Sequence, residues 1–162
     1  MLKVVSSQGA PTEWRRVKTF EEVLFGPLKF PAMSDENVEG ARREVRGGLR
    51  PVRRARAHNV LAAHAFQQGD FPQTFLHLDE SERILGGEVA QEPKNSEARV
   101  LLAETHHSRG RFNYELGRNE EAVAAYTSAI VLIERHGDRA DLYWIYYWRG
   151  AAQIECGNVR EG

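Results

Sequence analysis

The residues able to do chemistry are few and poorly spaced for it. Six histidines stand at positions 58, 64, 77, 106, 107 and 136. His106 and His107 are adjacent and would point to different faces of a helix, and His58 and His64, six residues apart, diverge in the same way. A shared metal ion is therefore not expected. The sequence holds no glycine-rich phosphate loop, nucleophile elbow or HExxH motif. An acid, a base and a nucleophile cannot be assembled from its text, so no catalytic residue, metal ligand or cofactor is assigned and the chain is not read as an enzyme. The single cysteine, Cys156, excludes an internal disulfide framework and a multi-thiolate site.

Charge supplies one candidate. Arg42, Arg43, Arg46, Arg50, Arg53, Arg54 and Arg56 lie within fifteen residues, opposed in that stretch by Glu44, while the whole chain carries a formal net charge of −1. Such a run could contact nucleic-acid phosphates, with Arg50, Arg53 and Arg54 as the contact residues. The competing reading is a solvated or acid-paired linker, because Gly47, Gly48 and Pro51 interrupt a continuous basic helix and few aromatic residues interleave.

The elements that position these residues read as helices. Hydrophobic residues make up 41% and charged residues 28% of 162 residues, a balance that supports one domain with a real core. No run approaches the roughly 20 apolar residues that span a bilayer, and the first residues lack a signal-peptide core, so no membrane association and a cytoplasmic location are expected. Residues 1–51 read as an accessory region with two short helices: one from Thr12 through Trp14, Val17, Phe20 and Val23, one from Ser34 carrying Val38, Ala41 and Val45. From residue 52 the text becomes long helical segments. The first stops at Gly69 and the second, from Phe71, at Gly86 and Gly87. A third is capped at Asn95 and ends before Gly117, and a fourth carries Ala122, Tyr126, Ala129 and Ile133 and closes at Gly137. The fifth runs from Asp141 to Cys156. No alternating strand pattern occurs.

The segments repeat. Arg109-Gly110, six residues, Gly117, three residues and Glu121 recur forty positions later as Arg149-Gly150, Gly157 and Glu161. With Gly110, Gly117, Ala122, Tyr126 and Ala129 at its small, turn, small, aromatic and small positions, the text resembles the tetratricopeptide repeat, over about residues 55 to 162. A weaker first copy places Ala62 at the small position, Gly69-Asp70-Phe71 at the turn and Leu78 at the large position. Arg109, Arg149, Asn113 and Gln153 depart from the pattern, and the 40-residue period resembles long-helix members such as peptide-receptor regulators and kinesin-light-chain-like adaptors.

This resemblance implies an all-α fold of antiparallel helix-turn-helix repeats stacked as a short solenoid, with residues 52–162 as the repeat domain and an incomplete last repeat. It implies a scaffold or adaptor that binds a protein or peptide in a groove lined by Asn59, Ala63 and Phe66, by Glu104, His107, Arg111 and Tyr114, and by Trp144, Tyr147 and Ala151. Short arrays of this kind also serve as secretion-type chaperones, a further alternative. No lysine lies between Lys29 and Lys94, so a clamp for a chaperone's terminal carboxylate is not expected. The text after Gly157 leaves Leu142, Ile145, Tyr146 and Trp148 partly uncovered on this reading. The expectation is a longer array, or packing of the C-terminal helix against a second copy or a partner.

Overall fold

The computed structural model describes residues 34–47, 50–134 and 142–157, with Leu142 and Tyr143 in backbone only. The helix expected from Thr12 and the closing Gly137 lie outside them. Every regular element among the described residues is an α-helix: α1 (Asp35–Gly47), α2 (Pro51–Gln67), α3 (Phe71–Gln91), α4 (Ser96–Glu115), α5 (Asn119–Glu134) and α6 (Leu142–Glu155). The fold class is all-α.

Capping chemistry sets several of the starts. The Ser34 hydroxyl accepts from the Asn37 amide at 3.2 Å, the Asp70 carboxylate from Gln73 at 3.1 Å and the Asn95 side chain from Ala98 at 3.1 Å. Pro51 opens α2, where a missing amide costs nothing. The stops repeat one device. Asp70 donates its amide to the Ala65 carbonyl at 2.9 Å and Gly69 to Phe66 at 3.0 Å, while Arg118 donates to Asn113 at 2.8 Å and Gly117 to Tyr114 at 3.0 Å. Gly157 donates to Ile154 at 2.9 Å in the same manner. The glycines take φ of 77°, 70° and 69°, the left-handed conformation that side chains resist.

The second segment does not stop at Gly86 and Gly87. Helix α3 runs through both to Gln91, because an interior glycine costs only about 1 kcal/mol. The continued helix packs Val89 onto the cluster of Ile84, Leu85, Ala98, Leu101 and Leu102.

The short links at residues 68–70, 92–95 and 116–118 fold the helices they join back on one another. Each packs on its neighbours in sequence, and α2 also touches α4 while α4 touches α6. Helix α1, within the stretch grouped above as accessory, packs Val38 and Ala41 on Ala57 and Leu61 of α2. At the other end, Ala122, Tyr126, Ala129 and Ile130 of α5 pack with Ile145, Trp148 and Ala152 of α6.

The two complete helix pairs share a construction. Five, nine and twelve residues after its turn glycine, the first pair places Thr74, Leu78 and Ser81 and the second Ala122, Tyr126 and Ala129, all six fully buried. Seven residues before the same glycines stand Ala62 and Gly110, both buried, and Gly150. A Cβ on Gly110 would lie 2.7 Å from the Tyr126 ring, so only glycine admits that ring so close.

Candidate functional site

One stripe of α4 reaches the surface. Glu97, Val100, Glu104 and Glu115 are exposed and Arg111 is half-buried, at spacings of three, four and seven that fall on one face. The equivalent positions of α6 hold exposed Trp144 and half-buried Ala151, and those of α2 hold Val52, Arg56 and Ala63. Arg56 reaches Glu97 across the two helices at 3.5 Å, and Arg111 lies 3.7 Å from Glu115.

The expected groove residues divide between this face and the helix contacts beneath it. Glu104 and Trp144 are exposed, Trp144 at 42%. Asn59 donates its amide to the Thr105 hydroxyl at 2.8 Å and so ties α2 to α4. Phe66 stacks on Phe112, with centroids 4.4 Å apart and planes inclined by 19°. His107 lies 5.8 Å from the Tyr126 ring, and Tyr114 and Tyr147 both meet Trp148 edge-on at 5.5 Å. Ala63 is buried and Ala151 half-buried.

The C-terminal helix corrects one expectation. Ile145 and Trp148 are not uncovered: they are 5% and 6% exposed, packed against α5 and Tyr114. Tyr146 is exposed and donates its hydroxyl to Glu134. The large apolar side chains that do face solvent on α6 include Trp144 and Ile154.

Two polar clusters escaped the sequence reading. On the side of α4 away from the stripe, Arg109 donates from Nε to Glu82 at 2.6 Å and from Nη2 to Asp79 at 2.5 Å, and His106 Nδ1 lies 3.2 Å from the same Glu82 oxygen. Burial pushes the Glu82 pKa up, and hydrogen bonds from His106 and Arg109 outweigh it, holding the carboxyl below its usual value. Burial likewise opposes the charge of Arg109, and its two carboxylates overcome that and raise its pKa. These side chains edge a cleft of about 600 Å³ whose walls include Phe75, Arg118, Glu121 and Ser128. Arg118 sits over the Phe75 ring at 5.5 Å. The second cluster joins α2 to α3: the Nδ1 atoms of His58 and His77 are 3.0 Å apart. Burial first, and for His58 the neighbouring His77 next, lowers both pKa values. The pair was visible in principle, since residues about equally far from an antiparallel turn oppose each other, as Ala55 and Ser81 also do.

The arginine run is largely acid-paired: Arg42 and Arg46 with Glu39, Arg53 with Glu44 and Arg56 with Glu97, at 3.4 to 3.5 Å. Arg50 is exposed and Arg54 half-buried. Among the described residues no group of three or more histidine, cysteine or acidic side chains could hold a metal ion, and no helix is long and apolar enough to cross a membrane. Comparison of the chain with protein-family models, curated proteins and solved structures finds no match.

Proposed function

We propose that the chain is a non-catalytic interaction module of tetratricopeptide type, a cytoplasmic scaffold that binds an extended protein or peptide segment along the stripe of α2, α4 and α6. The observation that carries this reading is Trp144, 42% exposed on α6 at the helical position that Glu104 occupies on α4. A large aromatic side chain held in water costs free energy that a ligand recovers, and tryptophan and arginine dominate binding hot spots. Arg56, Glu97, Glu104, Arg111 and Glu115 supply mixed charge around it, which suits a ligand with both signs of charge and an apolar anchor. The matching burial of Thr74, Leu78 and Ser81 with Ala122, Tyr126 and Ala129 supports the repeat reading.

The test is a selection of displayed random peptides against the full chain. Enriched peptides should lose at least about tenfold in affinity on Trp144→Ala and on Arg111→Ala, as hot-spot truncations do. They should be indifferent to Arg118→Ala, which lies at the cleft beside α3. Enriched peptides that ignore both stripe substitutions would refute the reading.

A further inference from the structure

Two clefts of the structure occupy equivalent places in the repeat and carry their charges differently. One is the cleft of about 600 Å³ over α4, flanked by α3 and α5. The other, of about 410 Å³, lies over α2 between α1 and α3, both of which pack on α2. Counted from the turn glycines Gly69 and Gly117, Leu61 of the second cleft stands where Arg109 stands in the first, Ala65 where Asn113 stands and Gln73 where Glu121 stands. The cleft over α4 neutralises itself, because Arg109 on its floor donates to Asp79 and Glu82 on its α3 wall. The cleft over α2 has apolar Leu61 and Ala65 at its floor and two arginines, Arg42 and Arg46, on its α1 wall. The acidic side chain that borders it, Asp70, is engaged as the cap of α3, where it accepts from the Gln73 amide at 3.1 Å.

Arg42 and Arg46 stand four residues apart on α1 and pair with Glu39 of the same helix at 3.5 and 3.4 Å. All three side chains are at least half exposed, and ion pairs so exposed hold their partners weakly. An anion in the cleft can therefore take both guanidinium groups from Glu39. Neutral donors border the same space in His64, Gln68, Gln73 and His77. His77 meets the Nδ1 of His58 with its own Nδ1 at 3.0 Å, and when it accepts there its proton sits on Nε2, which becomes its donor.

We propose that the cleft over α2 binds a phosphomonoester of a small molecule, with the phosphate between Arg42, Arg46, His64 and Gln73 and the carbon body on Val45, Leu61 and Ala65. Two guanidinium groups call for two negative charges on one group, as Arg109 alone takes two carboxylates in the equivalent cleft. A phosphate dianion supplies both charges and three acceptor oxygens, and a single carboxylate supplies one charge and two. A volume of about 410 Å³ suits a small molecule. A nucleic-acid strand is the poorer occupant, since Arg50, Arg53 and Arg54 do not line the cleft. None of the lining residues belongs to the peptide-binding stripe, so the site does not rest on that reading.

The probe is phenyl phosphate, titrated into the full chain by calorimetry at about pH 7.5, where the second phosphate proton, with a pKa of about 6, is gone. Saturable binding with a dissociation constant below about 1 mM is expected. Phenyl sulfate, of the same shape with one charge, should bind at least about tenfold more weakly, and inorganic phosphate, without the carbon body, at least about threefold more weakly. Joint replacement Arg42→Gln and Arg46→Gln should weaken phenyl phosphate at least about tenfold with the far-ultraviolet circular dichroism unchanged, since both side chains are exposed. Glu39→Gln, which removes the competing carboxylate, should tighten binding about two- to fivefold. Arg118→Gln, which removes a cation from the other cleft, should leave it unchanged. Absence of binding, binding that survives the double replacement, or equal affinity for phenyl sulfate would overturn the proposal. Inorganic phosphate bound as tightly as phenyl phosphate would overturn it in favour of the free ion. A phosphoserine peptide bound at least about tenfold more tightly would overturn it in favour of a phosphoprotein.

Discussion

Gly110 and Tyr126 are in contact so close that a methyl group on the glycine would stand 2.7 Å from the ring. Alanine would gain about 1 kcal/mol of helix propensity there and incur overpacking of about 1–3 kcal/mol, since Tyr126 is fully buried and cannot swing away. Gly110→Ala should therefore lower the unfolding free energy by up to about 2 kcal/mol. A Cβ on Gly150 meets nothing within 4 Å among the described residues, so propensity decides there and Gly150→Ala should stabilise by about 0.5–1 kcal/mol. Urea unfolding of the two variants reads opposite signs from one substitution. Equal signs would refute this contrast between the two glycines.

Arg109 bridges α4 to α3 through Glu82 and Asp79. Its side chain and that of Glu82 are 21% and 24% exposed, between the surface pairs that contribute little and the buried pairs whose loss is severe. Arg109→Ala should cost about 1–2 kcal/mol. Arg83, paired with Glu80 on the solvent side of α3, is the control, and its replacement by alanine should shift the unfolding midpoint by no measurable amount.

Helix α3 crosses two consecutive glycines, and a Cβ on either meets nothing within 4 Å. Gly86→Ala and Gly87→Ala should each stabilise by about 0.5–1 kcal/mol, additively if the sites are independent, because each gains helix propensity without a clash. Thermal melts of the single and double variants check this. A loss in either would mean that a bend at the glycines serves the packing of Val89.

What the sequence made legible follows from which interactions are local. Asn95, Asp70 and the turn glycines act within three or four residues, and their text sufficed to place helix ends. The run-through at Gly86 was not legible, since it depends on Val89 meeting residues of α4. The stripe positions Glu104 and Trp144, implied by the phase of the repeat that the text resembles, are both exposed. That Asn59 and Phe66 are engaged between α2 and α4 depends on how close those helices come, which no period reports. Arg109 was read as a departure from pattern, and its purpose lay in Asp79 and Glu82, about thirty residues away.

The two tryptophans of α6, four residues apart, should behave oppositely. Trp148 is buried against Tyr114 and Tyr147, so Trp148→Asp places a charge in the core and should cost about 3–5 kcal/mol, loosening α6 rather than merely parting an assembly. Trp144→Ala should change stability by less than about 1 kcal/mol, as substitutions of exposed residues do. Circular dichroism during urea unfolding separates the two. A Trp148→Asp chain as stable as the parent would contradict the packing of α6 on α5.

The histidine pair makes the α2 to α3 contact sensitive to acid. The 3.0 Å approach of the two Nδ1 atoms can be satisfied by one N–H donating to the other ring's lone pair, which needs at least one neutral ring. His58 is 8% exposed, and the groups that bear on it are His77, Glu80, Arg54 and Arg83, of which only Glu80 favours its charged form. Both pKa values are lowered in the folded chain, so below the ordinary value of 6.5 the unfolded chain binds protons that the folded chain refuses. Stability is therefore complete above about pH 6.5 and falls as the pH drops through the folded values, by up to about 1.4 kcal/mol per pH unit for each proton so refused. Glu82, whose pKa is also lowered, adds a further loss below its own unfolded value of 4.5, which separates the two windows. Urea midpoints measured between pH 8 and pH 5 should decline for the parent chain, and the decline should shrink in His77→Gln, where one ring can no longer charge. A His77→Gln profile as steep as that of the parent would show that the acid sensitivity arises elsewhere.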